Sequence, residues 1–206
     1  MPFLLGLTGN IACGKSSVGR LLAERYRADY VDADHLVHGL YAAGTPETLA
    51  IADRFGRDLL RPDDGTIDRR RLGDAVLGNP TALRELERIL DPGVRQAIAD
   101  RLAHTQAAVV VLDAIRLIEA GTAARCDAVW VVVCDQAAQM QRLQASRGMS
   151  AEQAAMRIAA QRPAEEKVRH ATAVIANHGT LDDLAERVAA AWARTVQPHL
   201  GDATRG

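Results

Sequence analysis

The chain has 206 residues, of which 48 % are apolar, with 25 Lys+Arg set against 26 Asp+Glu. That suffices for one core carrying inserted lobes, and the balanced charge gives no general pull toward nucleic acid or acidic membranes. No signal-peptide pattern is present, and the longest apolar stretches, near 107–115 and 128–134, are far too short to span a bilayer.

Five short segments read as strands: 3–7, 29–32, 108–112, 128–133 and 172–175. The first opens on Phe3-Leu4-Leu5 and runs into GLTGNIACGKSSVG, 6–19, after which Leu21-Leu22-Ala23 begins a helical pattern. The second ends in YVDADHL, 30–36. Residues 33–105 hold no convincing strand. They hold helical segments at about 45–54, 68–77 and 81–104, the first opened by Thr45 as cap and Pro46. RPDDG, 61–65, reads as a turn, and Asn79-Pro80 and Asp91-Pro92 punctuate the rest. The runs VVVL and VWVVV fit strands covered on both faces of a parallel sheet. Helices follow at 135–146 and at 151–161, the latter capped by Ser150 with Gln153 at the capping-box position and ended by Arg162-Pro163. The last runs from Thr180, with Asp182 and Asp183 in its first turn, to about 196. Strands alternating with helices predict an α/β layered fold with one five-stranded sheet. The tail GDATRG, 201–206, is expected to be disordered. Cys13, Cys126 and Cys134 form no C-x-x-C pair, so free thiols of a cytoplasmic protein are expected, Cys13 as a small filler in its loop rather than a reactive group.

Gly9, Gly14, Lys15 and Ser16 match G-x-x-x-x-G-K-[ST] between a strand and a helix. Such a loop curves backbone N–H groups around a phosphate, at the positive end of the following helix. Lys15 would reach the β- and γ-phosphates of a nucleotide and Ser16 would place its hydroxyl on Mg²⁺. Large ATPases need a longer chain. A GTPase should carry N-K-x-D before its last strand, and none is present. Asn177-His178-Gly179 instead follows the last strand, where an adenine-lining loop would sit.

Asp32 and Asp34 stand at a strand end, the edge that faces the ligand crevice in such sheets. Asp32, nearest the strand, is the candidate to orient an acceptor hydroxyl and take its proton; helix capping is the alternative for both. Asp113 ends the third strand and is a further Mg²⁺ candidate, or else a turn residue. Glu119 faces the same crevice or pairs with Arg116, three residues away. Arg142, Arg147, Arg157 and Arg162 gather in the second insertion, as a closing lid would require, or form a solvated face. Arg69, Arg70 and Arg71 form a second cluster, of which at most two can face one ligand.

The order and spacing of these motifs resemble the dephospho-coenzyme A kinase family over about 1–196. Its opening G-L-T-G-G-I-G-S-G-K-S appears as GLTGNIACGKS, its D-A-D as 32–34, and its phenylalanine-glycine pair as Phe55-Gly56. Its D-G-x-x-x-R-x-x-L is DGTIDRRRL, which places the family's arginine on Arg69. Its Q-x-x-R-L is QMQRL, 139–143, its R-I-x-x-Q is RIAAQ, 157–161, and its N-x-G is 177–179. Asn10 and Ala12 replace two family glycines, Asp91-Pro92 stands for the usual H-P, and IRLIE, 115–119, departs from P-L-L-x-E while keeping Leu117 and Glu119. The resemblance implies a three-layer P-loop kinase fold like adenylate kinase, a single domain over about 1–200. Its core would be 1–34, 106–138 and 168–200, its acceptor lobe 35–105 and its lid 139–167. It implies transfer of the γ-phosphoryl of ATP to the ribose 3′-hydroxyl of dephospho-CoA, with Asp32, Lys15 and Arg142 as catalytic residues. ATP would be held by Gly9, Asn10, Ile11, Ala12, Cys13, Gly14, Lys15, Ser16 and Ser17 together with Asn177 and Gly179. Asp32, Asp34, Arg69, Leu117 and Glu119 would bind the acceptor, and Ser16 with Asp113 would face Mg²⁺. A monomer without nucleic-acid or membrane partners is expected. Another small-molecule or nucleoside kinase, or a non-catalytic ATP sensor, remains the alternative.

Overall fold

The computed structural model describes residues 1–76 and 78–201; the Asp34 side chain and the expected tail beyond Gly201 lie outside the described residues. Five strands form one sheet: β1 (Phe3–Gly9), β2 (Asp29–Asp32), β3 (Val109–Asp113), β4 (Ala128–Val133) and β5 (Ala173–Ala176), in the order β2-β3-β1-β4-β5. β1 pairs in parallel with β3 (Leu5 opposite Val111) and with β4 (Leu7 opposite Trp130), and β4 pairs in parallel with β5. All residues of β1 and β3 are buried, which is why their sequences read as apolar runs without alternation.

Two compact units divide the chain: Met1–Val31 with the residues from Thr105 onward, and Asp32–His104. In the first, Leu5, Leu7, Val111 and Trp130 project from one sheet face onto Val18 and Leu22 of α1 (Lys15–Tyr26) and Leu184, Val188 and Trp192 of α9 (Leu181–Thr195). Trp192 stacks on Tyr26 at 4.2 Å between ring centroids. The opposite face of β1 and β4 meets α8 (Ala164–Val168). α6 (Gln136–Arg147) and α7 (Ala151–Ala159) lie between β4 and α8 in sequence. The expected caps form: Ser150 and Gln153 make a complete capping box, as do Thr180 and Asp183.

The second unit contains α2 (Ala33–Leu40), α3 (Pro46–Phe55), α4 (Arg69–Val76) and α5 (Pro80–His104) around Ile51, Leu59, Ile67, Leu72, Leu86 and Leu90. Thr45 caps α3 by accepting from the Thr48 N–H at 3.1 Å. Sequence reading passes over two helices. α2 starts inside the D-A-D motif, and α8 follows the Arg162-Pro163 break. It also treats Asp91-Pro92 as punctuation, whereas α5 continues through Pro92. A proline inside a helix costs about 3 kcal/mol or more, and packing of α5 on α2 and α3 offsets it. The next residue shows how close that packing is: a Cβ on Gly93 would stand 2.3 Å from Glu47 Oε1 and 2.8 Å from Leu40 Cδ2.

The buried indole of Trp130 donates from Nε1 to Thr195 Oγ1 at 2.9 Å, joining the sheet to the last turn of α9. Thr195→Val keeps the shape and strands the donor, which is expected to cost about 1–3 kcal/mol. Urea unfolding should show a lowered midpoint at unchanged slope; an unaltered midpoint would show that the bond carries no stability.

Candidate phosphate-binding site

The loop between β1 and α1 is held from behind by three carbonyl contacts. Gln139 Nε2 donates to Ile11 O at 2.8 Å, Arg142 Nη1 to Ala12 O at 3.1 Å, and Asn177 Nδ2 to Cys13 O at 2.8 Å. In a trans peptide the carbonyl and the next N–H point oppositely. Fixing the Ile11 and Cys13 carbonyls therefore turns the Ala12 and Gly14 N–H groups to the other side of the loop, where α1 presents its N-terminal N–H groups. Gly14 is the α1 cap at φ 95°, and a Cβ there would stand 2.1 Å from Asn177 Nδ2, so the left-handed turn and the strap both require glycine. Arg142 also donates from Nη2 to Asn177 O at 3.2 Å, which joins two straps into one unit.

Not every loop N–H is available to a ligand. The Ile11 N–H donates to Gln161 Oε1 at 2.7 Å, and the Cys13 N–H to Asn10 O at 3.3 Å. Asn10, at a family glycine position, donates through Nδ2 to Arg162 O at 3.1 Å. Ala12, at the other, takes φ 58°. Below the loop, Ile11 packs with Leu143 of α6 and Ala154 of α7, flanked by Met140, Met149 and Ile158. Lys15 Nζ lies 3.1 Å from Gly9 O, within the curve of the loop. Ser16 is exposed, and Ser17 N donates to Gly14 O at 3.1 Å.

The remaining candidates divide by position. Asp113 is buried at the end of β3, and its Oδ2 accepts from Tyr30 OH at 2.6 Å. Leu117 is fully buried against Gly6, where a Cβ would lie 2.6 Å from its Cδ2; it fills the core beside β1 rather than offering a surface to a ligand. Residues 115–120 are turns rather than a helix, and Glu119, beside the charge of Arg116, takes a further partner. Lys167 of α8, 5 % exposed, holds Glu119 Oε1 at 2.7 Å and Ile115 O at 2.6 Å. Asn177 is buried and shapes the loop, while His178 and Gly179 are exposed; His178 Nδ1 lies 3.5 Å from the α6 cap Asp135. In the second unit, Asp32 ends β2 with His35 Nδ1 at 3.8 Å. Arg69 lines a cavity of about 270 Å³ with Val37, His38, Tyr41, Leu72 and Leu86.

Gln139, Gln161, Lys167 and Tyr30 are the site residues that sequence reading does not assign. Both glutamines stand inside motifs already recognised, QMQRL and RIAAQ. Lys167 and Tyr30 carry no local signal.

The glycine loop, its backward-held carbonyls and the parallel sheet define a P-loop protein of the small-molecule kinase fold. Residues 3–183 match the family model for dephospho-CoA kinase. A dephospho-CoA kinase of Geobacter metallireducens is 42 % identical over 197 residues, covering 94 % of this chain and 97 % of its own. A solved structure from Thermus thermophilus is 31 % identical with a TM-score of 0.80, covering 95 % of this chain and 98 % of that one. A dephospho-CoA kinase from Campylobacter jejuni, at 24 % identity and TM-score 0.67 over 96 % of this chain and 99 % of that one, shares the fold. The chain belongs to the dephospho-CoA kinase family.

Two outcomes follow from this geometry. Asn177→Ala and Gln139→Ala each release one loop carbonyl, worth about 1–2 kcal/mol, and should weaken binding of a fluorescent ATP analogue roughly 5–30-fold in a protein whose urea midpoint is lowered but whose unfolding stays cooperative. Unchanged affinity in both would show that the straps do not set the loop. The second concerns acid. Burial would raise the Glu119 carboxyl, but the hydrogen bond from Lys167, a backbone hydrogen bond and the charges of Lys167 and Arg116 outweigh it and hold the group below its usual 4.5. Its contribution is therefore complete above pH 4.5 and lost as pH falls through the lowered folded value. Glu119→Gln should destabilise by about 1.5–3 kcal/mol at pH 7, and the gap to wild type in urea midpoint should close on acidification. A gap independent of pH would assign the pair no electrostatic role.

Proposed function

We propose that this protein transfers the γ-phosphoryl group of ATP to the ribose 3′-hydroxyl of dephospho-CoA, giving coenzyme A and ADP. The observation that carries the reading is the phosphate loop, shaped by Gln139, Arg142 and Asn177, in a chain of this family. The Ala12 and Gly14 N–H groups and the start of α1 bind ATP phosphate oxygens. Lys15 offsets charge that develops on the transferred group, and Arg142 adds to the local positive potential while holding the loop. Asp32 orients the acceptor hydroxyl and accepts its proton as the new P–O bond forms. Arg69 and the apolar wall of its cavity receive part of the acceptor.

The Ser16 hydroxyl and the Asp113 carboxylate are oxygen donors of the kind Mg²⁺ takes alongside substrate phosphates, so the residues fit that ion. Ser16 Oγ and the Asp113 carboxylate would hold it, and bound there it would supply positive charge against the negative phosphate groups. The Tyr30 hydroxyl fixes the orientation of Asp113 for this task. Residues 139–167 serve as a lid, and the protein works as a cytoplasmic monomer. Among the described residues no helix is long and apolar enough to cross a membrane.

The test is ADP release dependent on dephospho-CoA, with the product phosphate located by NMR and other ribosides offered in competition. Lys15→Ala should lower kcat/KM by roughly 10²-fold or more. Asp32→Asn should keep ATP affinity within a few-fold and lose about 10²–10⁴-fold in turnover. Near-normal turnover in a folded D32N enzyme would remove Asp32 from the role of base.

A further inference from the structure

Cys13, within the phosphate loop, and Cys134, 121 positions on, bring their side chains together behind that loop. Their sulfur atoms lie 3.4 Å apart, with the Cys134 thiol donating toward Cys13 Sγ and standing 4.0 Å from Ala12 O. Cys13 is 2 % exposed, and Cys134, immediately after β4, is partly exposed, so the pair reaches solvent at its Cys134 end. A disulfide needs about 2.05 Å between sulfurs; the two atoms are already in contact and need close only by roughly 1.4 Å. Cys126 lies elsewhere, against Gly6 on the opposite face of β1, with its Sγ 3.7 Å from Thr122 O.

We infer that Cys13 and Cys134 are a redox modification site, which hydrogen peroxide converts to an intrachain disulfide that disarms the phosphate loop. The chemistry divides between the two thiols. The hydrogen bond from Cys134 brings the Cys13 thiol down to about 7 against the opposing effect of burial, helped by the charges of Lys15 and Arg142. The same contact pushes the Cys134 thiol up. With the Cys134 thiol and the Gln139 amide both donating to its sulfur, Cys13 is the thiolate of the pair, and peroxide meets that sulfur from the solvent-facing Cys134 end. Cys13 sulfur takes one oxygen of the peroxide, the O–O bond breaks, and hydroxide leaves. Cys134 sulfur then attacks Cys13 sulfur; the S–S bond forms, the S–O bond breaks, and the second hydroxide leaves with the Cys134 proton as water. In sum two thiols and one peroxide give one disulfide and two waters, and a dithiol reductant reverses the change.

The consequence for the loop follows from where the two residues are anchored. Cys134 continues β4, which is paired on both sides, by β1 and β5. Cys13 is held by the Asn177 contact to its carbonyl and by Gln139, whose Nε2 also lies 3.5 Å from its sulfur. Closing the sulfur gap therefore moves the loop rather than the strand. Losing the hydrogen bonds from the displaced Ala12 and Gly14 N–H groups to a charged phosphate weakens ATP binding by about 10²-fold. The loss of ATP affinity rests on the function proposed for the loop; formation of the bond does not.

The test uses the full chain, reduced, freed of reductant and titrated with hydrogen peroxide. Peptide mapping without reductant should show a Cys13–Cys134 linked peptide, binding of a fluorescent ATP analogue should weaken about 10²-fold in step with it, and dithiothreitol should restore both. Saturating ATP should slow the linkage. Cys134→Ser should bind the analogue normally before treatment; afterwards it should yield no linked peptide, and Cys13 should advance to sulfinic acid that dithiothreitol does not recover. Cys126→Ser should behave as wild type. Absence of the linked peptide in oxidised wild type, or its presence with full ATP affinity, would overturn the inference. An untreated enzyme that binds ATP but does not phosphorylate dephospho-CoA would count against the proposed function alone.

Discussion

A loop that offers N–H groups to a phosphate must hide the carbonyls of the same peptides. Each peptide has both, on opposite sides, and a carbonyl facing the ligand would repel it. In this protein the answer is three side chains behind the loop: Gln139 and Arg142 from α6 and Asn177 from the turn after β5. The elements beside the loop hold those three in place. The Asp135 cap starts α6 directly after β4, Arg142 reaches both Ala12 and Asn177, and α7 buries Ala154 against Ile11 and Leu143. The loop is thus one layer of a packed assembly, and its shape is inherited from residues more than a hundred positions away.

The second support is electrostatic. Lys167 is nearly buried, and a buried ammonium is costly unless paired. Its two partners, Glu119 and the Ile115 carbonyl, satisfy it, and the Ile115 carbonyl accepts again from Thr8 Oγ1 at 3.1 Å. The result ties the segment after β3 to the end of β1 and to α8. Asp113 stands at the head of that segment, with Tyr30 on its carboxylate. A change at Lys167 or Glu119 would therefore reach Asp113 without touching it.

What sequence alone reveals here is what local chemistry encodes. The loop motif, the apolar strands and the caps at Thr45, Ser150 and Thr180 are each written within a few residues, and the structure contains them. α2 is masked because its first turn coincides with the D-A-D motif, and α8 because its five residues are too few for a period to register. Pro92 misleads because local propensity yields to the close seating of Gly93 on Glu47 and Leu40. Sequence offers Glu119 only Arg116 as a partner, and the fold adds Lys167, 48 positions on. The straps show the limit best. Arg142 attracts attention by its charge, whereas Gln139 and Gln161 are ordinary polar residues until they stand beside an unsatisfied peptide.

The strand order has a consequence for the newborn chain. β1 is made first, yet it lies between β3 and β4 and cannot be paired on both sides until residue 133 has emerged. The helical stretch 32–104, whose core is its own, is complete well before that. At about 5–20 residues per second, the glycine loop waits roughly 10–30 s on the ribosome for Asn177, its last strap. Over that interval Cys13 and the apolar strand before it depend on whatever shelters nascent chains, and the nucleotide-binding element stays open long after its own residues have been made.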